Sequence, residues 1–399
     1  MIEITSLDHN GRGIGKLNNK IVFVENALPG EIVDITILKE KKNYIEARVN
    51  NFIKKSEKRI ESVCPYFAEC GGCDLLHLNY EDTLKFKEDK IKNIVNRYLD
   101  NKIKINNIVP CDNNFYYRNK TTFQVKNCIG FYKNNTYDII KTDKCLISSE
   151  LINNSINYLK KLDLKHINKI ICRSSIDELM IILETSNTDL DITPLKEIAT
   201  SIYIKNNNKY NLVYGKKYIT EKLGNYNYLV SPDSFFQINI NTCFKLYSKI
   251  KEYVKTNKNI LDLYCGTGSI GIFVSENNNV LGIEVNEYAI KDAIENAKLN
   301  NIKNIDFICG ESGKTLNNIK FKPDVIIVDP PRAGLSKEAI DNIFKLSPKE
   351  LIYVSCDPMT LVRDLNLLNK KYEIIELTPY DMFPNTKHVE CLTYMLKKN

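Results

Sequence analysis

"LDLYCGTGSIG", residues 261–271, decides the fold of the last part of this chain. Its apolar start predicts a buried strand, and Gly266, Gly268 and Gly271 then match the pattern G-x-G-x-x-G. Glu284 ends the next predicted strand, 18 residues after Gly266. Glycines let a cofactor approach the backbone, and an acid at that place accepts hydrogen bonds from ribose hydroxyls. The motif predicts a ribose-containing cofactor and leaves open whether it is a nicotinamide dinucleotide or S-adenosylmethionine.

Strand and helix patterns alternate on both sides of this loop. Apolar, β-rich runs occur at 259–264, 279–284, 304–309, 324–328, 350–354, 372–377 and 390–396. Helix-like stretches such as 286–300 separate most of them. This alternation predicts an α/β fold with a Rossmann-like, mainly parallel seven-stranded sheet. The last two runs are joined by an irregular loop, so we expect the final strand to be antiparallel.

The length and composition limit the classes of protein to which this chain can belong. A chain of 399 residues is long enough for two or three domains, and no apolar stretch approaches the length of a membrane span. The start lacks a basic region followed by an apolar one, so we expect a cytoplasmic protein without membrane association. Twelve cysteines in such a chain indicate metal or catalytic roles rather than disulfides.

The net charge of +7 is unevenly distributed. Basic residues outnumber acidic ones between Lys39 and Arg59, as expected of a surface that binds a polyanion. A solvated lysine-rich face is the alternative, and charge alone does not separate the two.

Three parts of the chain differ in pattern. Residues 1–53 contain short, evenly spaced β-rich runs, which predict a small OB-like barrel that binds RNA or a generic barrel without that role. Residues 54–230 form a mixed α+β central part, in which a helix over about 80–100 is expected to dock on the last part. Residues 231–399 form the predicted catalytic domain.

A cysteine is placed at the expected ligand-binding edge of the sheet. In "LIYVSCDPMTLVRDL", residues 351–365, an apolar run stops at Ser355-Cys356-Asp357, and Pro358 suits the first turn of a helix. Ligands of open α/β sheets bind at the carboxyl ends of the strands. A buried, inert thiol is the alternative interpretation of Cys356.

Two acidic positions favour S-adenosylmethionine over a nicotinamide. Asp262 lies four residues before Gly266, where its carboxylate is expected to face the cofactor region. Asp329-Pro330-Pro331 follows the fourth predicted strand, and the two prolines fix a stiff turn that suits a pocket floor. Arg332 follows this turn and is a suitable donor to a carbonyl or phosphate.

These motifs together resemble those of the RNA 5-methyluridine methyltransferases, which use S-adenosylmethionine to methylate uracil C5. The resemblance rests on Asp-x-x-Cys-Gly-x-Gly, the acid that ends strand two, Asp-Pro-Pro and Ser-Cys-Asp-Pro. It extends to "SPDSFFQIN" at 231–239 and "FPNTKHVECL" at 383–392. At the amino end, "GRGIGK" and "VFVENALPGE" resemble the TRAM domain of this family, an RNA-binding barrel. Residues 150–230 are poorly marked.

The resemblance assigns roles to individual residues. Cys356 would be the nucleophile that adds to uracil C6, and the helix start at Pro358 is expected to lower its pKa. Glu390 would be the base that removes the C5 proton. Phe235 would contact the target base, with a core phenylalanine as the alternative. The residues expected to contact S-adenosylmethionine are Gln237, Tyr264, Glu284 and Asp329.

A second cysteine group lies in "CPYFAECGGC", residues 64–73. Cys64, Cys70 and Cys73 have the spacing C-x5-C-x2-C, and four thiolates suit zinc or an iron–sulfur cluster. The resemblance implies Cys145 as the fourth ligand and a [4Fe-4S] cluster.

A third motif, "FYYRNKTTFQV" at 115–125, interleaves aromatic residues with Arg118 and Lys120. This pattern predicts contacts with single-stranded RNA, with an amphipathic strand as the alternative.

The combined prediction is a monomeric 23S rRNA (uracil-5-)-methyltransferase. The preference for ribosomal RNA follows from the resemblance, since the barrel and the cluster are typical of that branch. Transfer RNA is the alternative substrate, and a nicotinamide-dependent oxidoreductase is the alternative activity.

Overall fold

The computed structural model describes residues 1–99, 103–187, 189–316 and 319–399. Within these ranges the strands form sheets of six, seven and eight strands and one separate hairpin. Strands and helices are numbered below in chain order.

The first part of the chain is a β unit with its own core. Its strands are β1 (Ile2–Glu3), β2 (Ser6–Leu7), β3 (Gly13–Leu17), β4 (Lys20–Glu25), β5 (Ile32–Glu40) and β6 (Tyr44–Lys54). They lie in the order β1-β5-β6-β4-β3-β2. Alternate residues point inward, as Val22 and Val24 do in β4 and Ile45 and Ala47 do in β6. The predicted β unit at the amino end is confirmed.

The middle of the chain builds a second sheet and a hairpin. Its elements are α1 (Tyr80–Tyr98), β7 (Lys104–Ile105), β8 (Lys120–Val125), β9 (Ile129–Tyr132), β10 (Ile139–Lys141), α2 (Glu150–Leu159), β11 (Ile167–Ser174), β12 (Leu179–Thr185), β13 (Ser201–Asn206), β14 (Lys209–Gly215), β15 (Ile219–Leu223) and β16 (Tyr226–Val230). The sheet order is β10-β9-β8-β11-β12-β13-β14, and β15 pairs with β16. Ile152, Ile156 and Leu159 of α2 pack on this sheet.

The last part is the predicted Rossmann-like domain. Its elements are α3 (Ile240–Val254), β17 (Asn259–Leu263), α4 (Ser269–Phe273), β18 (Asn279–Glu284), α5 (Glu287–Leu299), β19 (Ile305–Cys309), α6 (Ser312–Thr315), β20 (Val325–Val328), α7 (Lys337–Leu346), β21 (Glu350–Ser355), α8 (Pro358–Leu368), β22 (Tyr372–Tyr380) and β23 (Glu390–Lys397). The order is β19-β18-β17-β20-β21-β23-β22-β7. Strands β17 to β21 are parallel, and β23 is antiparallel to both neighbours, as predicted.

The sheet has one strand more than the seven predicted. The extra strand is β7, whose two residues pair with Glu376 and Leu377 of β22. A strand this short carries no periodic pattern, so the sequence does not reveal it. The middle of the chain therefore contributes directly to the catalytic sheet. The predicted division at 53/54 and 230/231 stays a prediction.

Helix α1 lies on the catalytic domain, where it contacts α8. Asn79 caps it by accepting a hydrogen bond from the Asp82 N–H at 2.8 Å. Its Ile91 and Val95 are buried in the core shared with β17, β20 and β21. The helix was predicted to extend to about residue 100, which lies outside the described residues.

None of the helices in the described ranges combines the length and the apolar character needed to cross a membrane.

Candidate active site

A cavity of about 970 Å³ opens where the parallel strands of the catalytic sheet end. It brings together the predicted residues that the chain holds far apart in sequence. Those lining it are Cys64, Cys70, Cys73, Arg118, Cys145, Phe235, Gln237, Tyr264, Glu284, Asp329, Cys356 and Glu390. Lys120 is the predicted site residue that does not line it.

Strand register places three of these residues side by side. Val328 pairs with Tyr353, and Ser355 pairs with Cys391 in the antiparallel direction. Cys356 therefore lies opposite Glu390, and Asp329 lies beside the end of the same strand. A thiol and two carboxyl groups meet at one edge of the sheet.

Cys356 lies at the junction of β21 and α8. Burial, followed by the charges of Glu390 and Asp329, raises its pKa to about 11, while a hydrogen bond from Arg332 opposes this. The helix start was expected to lower this pKa, and burial with the two neighbouring carboxyl groups instead gives a net upward shift. The Asp357 carboxylate already accepts hydrogen bonds from the N–H groups of Met359 and Thr360, at 2.9 and 3.1 Å. An anionic cap offsets the positive end of the helix dipole.

Asp329 and Glu390 act on each other where the strands end, Glu390 being buried and Asp329 half-buried. Burial raises the pKa of Asp329 to about 7. Burial and the charge of Asp329 raise the pKa of Glu390 well above its usual range, and the Arg332 guanidinium opposes them. Two carboxyl groups this close resist simultaneous ionisation, because each charge disfavours the other. The pair can therefore hold a proton at neutral pH.

The glycine loop leaves open space beside an oriented acid. Gly266 has φ +53°, and a Cβ built on it would meet no atom within 4 Å. The Glu284 carboxylate accepts hydrogen bonds from the N–H groups of Gly266, at 3.2 Å, and Asn286, at 2.9 Å. Tyr264 has φ +64°, an uncommon conformation for a non-glycine residue that often marks functional sites. The loop is shaped to receive a ligand.

Asp262 supports this loop from behind. It is buried, and its Oδ2 accepts a hydrogen bond from the Gly271 N–H at 2.9 Å. Burial raises its pKa to about 8. It does not line the cavity, so the expectation that its carboxylate faces the cofactor region is wrong. The carboxylate instead accepts a hydrogen bond from the backbone of Gly271.

Phe235 and Gln237 lie on the segment before α3. Phe235 is 67% exposed, so the alternative of a core phenylalanine is wrong. Asn119 holds this segment by donating from its side chain to the Gln237 carbonyl at 3.1 Å. Arg173, which is buried, donates to the Ser234 carbonyl. The exposed ring of Phe235 is thus presented from an anchored backbone.

Arg118 and Lys120 lie in different surroundings, since only Arg118 lines the cavity. Arg118 lines the cavity and donates from Nε to the Lys120 carbonyl at 2.8 Å. Lys120 is the ladder partner of Arg173 in the register of β8 and β11. Burial, with the charges of Arg173 and Arg118, lowers its pKa to about 8. The predicted RNA contact of Lys120 stays a prediction, and Arg118 is better placed for one.

The four cysteines of the second group line the same cavity. Burial raises the pKa values of the Cys64, Cys70 and Cys73 thiols, and the charge of Cys145 raises each further. In the described part of the chain, no group of three or more His, Cys, Asp or Glu side chains could hold a metal ion as it stands. The chemistry of four thiols fits zinc or an iron–sulfur cluster. The cluster therefore stays a prediction.

Two models of known protein families match the sequence of this chain. That of the tRNA (Uracil-5-)-methyltransferases matches residues 79–398, and that of the TRAM domain matches residues 1–49. The chain belongs to the tRNA (uracil-5-)-methyltransferase family. Membership in this family decides the question left open by the glycine motif in favour of a methyltransferase and against a nicotinamide-dependent oxidoreductase.

Relatives of this uracil-5-methyltransferase cover nearly its full length. An uncharacterized RNA methyltransferase of Clostridium tetani is 35% identical over 98% of this chain and 95% of its own. One of Staphylococcus aureus is 35% identical over 97% of this chain and 95% of its own. The structure resembles the Pyrococcus abyssi tRNA (uracil-54, C5)-methyltransferase in complex with S-adenosyl-L-homocysteine, with a TM-score of 0.84 and 29% identity over 99% of both chains.

Two further residues line the cavity, Arg332, which the sequence predicts as a donor to a carbonyl or phosphate, and His388. Arg332 lines the cavity beside Cys356, and Thr360 of α8 donates to its carbonyl at 3.0 Å. His388 also lines the cavity, and burial with the Arg332 charge lowers its pKa to about 4, so it is neutral. The Asp-Pro-Pro-Arg order was the signal for Arg332. His388 had none beyond its position two residues before Glu390.

Proposed function

We propose that this protein transfers a methyl group from S-adenosylmethionine to C5 of a uridine in RNA. The observation that carries the proposal is the position of Cys356 opposite Glu390 in the cavity that also contains the glycine loop. A thiol and a buried carboxyl group in that arrangement suit addition to one carbon of a base and proton removal from the next.

The residues present fit S-adenosylmethionine. Open space beside Gly266 gives the ligand access to the backbone, and the oriented Glu284 carboxylate suits ribose hydroxyls. Bound there, the cofactor supplies a methyl group on a sulfonium. We assign its contacts to Gln237, Tyr264, Glu284 and Asp329, which line the cavity together.

The thiolate of Cys356 begins the reaction by forming a bond to uracil C6. The electron pair of the C5–C6 double bond then makes C5 enolate-like. C5 would accept the methyl group as the bond from that methyl group to the sulfonium breaks, its electron pair remaining on sulfur as a neutral thioether. Glu390 removes the original proton from C5, the double bond re-forms, and the C6–S bond breaks to return the thiolate. Glu390 acts in its ionised form, and because burial raises its pKa, that carboxylate is a strong base for this proton.

Phe235 and Arg118 are the proposed RNA contacts. The ring of Phe235 is exposed at the cavity, where it can stack on a base extruded from the RNA. The guanidinium of Arg118 lines the same cavity and suits a phosphate. Both lie outside the nucleophile's strand, so base recognition and bond formation are assigned to different elements.

For the substrate we propose a uridine of 23S ribosomal RNA. The support is the combination of a TRAM domain with the cysteine motif. Transfer RNA is the second candidate, and the likeness to the Pyrococcus abyssi enzyme favours it.

Labelled S-adenosylmethionine and unmodified transcripts of both RNAs test this proposal, with nucleoside mass spectrometry as the readout. We expect 5-methyluridine in the 23S transcript and none with Cys356→Ala. Product in transfer RNA alone would overturn the ribosomal assignment, and no product in either RNA would contradict the activity.

We further propose that Cys64, Cys70, Cys73 and Cys145 hold a [4Fe-4S] cluster. The four cysteines line the same cavity, and the charges of the other three raise the pKa of Cys73, which supports the assignment. Binding requires the thiols to lose their protons and close around the cluster. With four protein ligands, the cluster has no open iron for the reacting uridine.

A further inference from the structure

Helix α1 contains a lysine that is buried in full. Lys87 has no exposed side-chain surface, and its Nζ forms an ion pair with Asp381 Oδ1 at 2.5 Å. It also donates to the Phe383 carbonyl at 2.9 Å. The other oxygen of Asp381 accepts a hydrogen bond from the Tyr80 hydroxyl at 2.8 Å. Asp381 and Phe383 belong to residues 381–389, here called the β22–β23 loop.

The same loop is held at two further places. Lys90 of α1 donates to the Lys387 carbonyl at 2.8 Å. The N–H groups of Asp74 and Leu75 donate to the Asn385 carbonyl at 3.0 and 3.1 Å. The Asp74 carboxylate accepts from the Lys387 N–H at 3.0 Å. Elements distant in sequence thus hold the β22–β23 loop along its length.

This loop leads directly to the proposed base. Tyr380 and Glu390 are the last ladder pair of β22 and β23, and Asp381 follows Tyr380. A shift at Asp381 therefore moves the end of the ladder to which Glu390 belongs. Misplacing a reacting group by about 1 Å can reduce a rate by about 10²-fold.

Stability alone does not explain why Lys87 and Asp381, rather than apolar residues, occupy this buried position. Such pairs are weak sources of stability, because desolvation of both charges offsets their attraction. Apolar side chains of similar volume would serve the core as well. An ion pair differs in fixing direction, since Lys87 engages both Asp381 and the Phe383 carbonyl.

We propose that Lys87 and Asp381 are positioning residues that hold Glu390 in place for removal of the C5 proton. The inference rests on the proposed function. Addition of Cys356 and methyl transfer depend on β21, α8 and the glycine loop. The side-chain hydrogen bonds of Lys87 and Asp381 reach none of these elements, and α1 contacts α8 through other residues. Loss of the pair should therefore slow the last step and leave the earlier ones intact.

Two RNA probes separate these steps. With ordinary uridine, slow proton removal makes the covalent methylated protein–RNA adduct accumulate on a denaturing gel. With 5-fluorouridine, C5 carries no proton, so adduct formation reports only addition and methyl transfer. We expect Lys87→Met to reduce turnover by about 10²-fold, to accumulate the ordinary-uridine adduct, and to form the 5-fluorouridine adduct at the wild-type rate.

Lys92→Met is the matched control, because Lys92 lies on the same helix and pairs with Glu88 at the surface. It should behave as wild type in both assays. Lys90→Met, at a half-buried position, is the second variant if Lys87→Met fails to fold, and it should show the same pattern more weakly.

Parallel loss of turnover and of the 5-fluorouridine adduct in a folded variant would overturn the positioning role, as would wild-type turnover. If the wild-type protein forms no 5-fluorouridine adduct, the proposed function itself fails.

Discussion

The Cys356 thiol provides a quantitative test of how the cavity controls its nucleophile. Its pKa is raised from an ordinary 9.0 to about 11. At pH 8 about one molecule in 10³ then carries the thiolate, against about one in 10 for an ordinary thiol. The rate of alkylation should therefore rise about tenfold per pH unit and keep rising beyond pH 9.

Arg332→Met is the perturbation that tests the cause. Arg332 lowers the pKa of Cys356 by a hydrogen bond and by its charge. We take the effect of Arg332 as ~1.4 kcal/mol, just below the usual range for charged partners, because the guanidinium is exposed to solvent. Its loss should slow alkylation at pH 8 by about tenfold and move the profile to higher pH.

The assay is iodoacetamide labelling of the protein without RNA, resolved by peptide mass spectrometry between pH 7 and 10. Arg97→Met, at an exposed arginine of α1, is the matched control and should leave the Cys356 profile unchanged. A wild-type plateau below pH 9, or equal profiles for wild type and Arg332→Met, would refute this account of the thiol.

Three further predictions concern the base, the RNA contact and the cysteine group. Glu390→Gln should lower turnover by about 10²–10⁴-fold and leave a covalent adduct on ordinary uridine, and wild-type turnover would contradict its role. Phe235→Ala should weaken RNA binding by ~1–3 kcal/mol in a filter assay, with S-adenosylmethionine binding unchanged in calorimetry. Equal weakening of both ligands would refute the stacking role. Anaerobically purified protein should contain iron and sulfide, and the Cys145→Ser variant should lose them. Binding should become tighter as pH rises, because the thiols must lose protons. Stoichiometric zinc would contradict the cluster.

The strand ends explain why the site could be predicted from the sequence. The glycine loop, Asp329 and Cys356 each directly follow an apolar run, and parallel strands collect such residues at one edge. Glu390 is different, because its position depends on the antiparallel register of β23 with β21. The motif resemblance assigned that role, and the ladder explains its location.

The remaining features depend on contacts that local patterns do not record. β7 has two residues and is defined only by its pairing with β22. Asp262 turns to the Gly271 N–H, and Asp357 caps α8 and so offsets the dipole that was expected to act on Cys356. Lys120 follows the register of β8 with β11 to the side of Arg173. In each case the position of the residue is set by the partners that the tertiary structure brings to it.

Covalent trapping tests the central claim most directly. The protein is incubated with S-adenosylmethionine and 23S ribosomal RNA or transfer RNA containing 5-fluorouridine, and the products are separated on a denaturing gel. We predict a shifted protein–RNA band that requires S-adenosylmethionine and disappears in Cys356→Ala. A band that persists in Cys356→Ala, or no band with either RNA, would contradict the assignment of Cys356 as the nucleophile of a uracil-C5 methyltransferase.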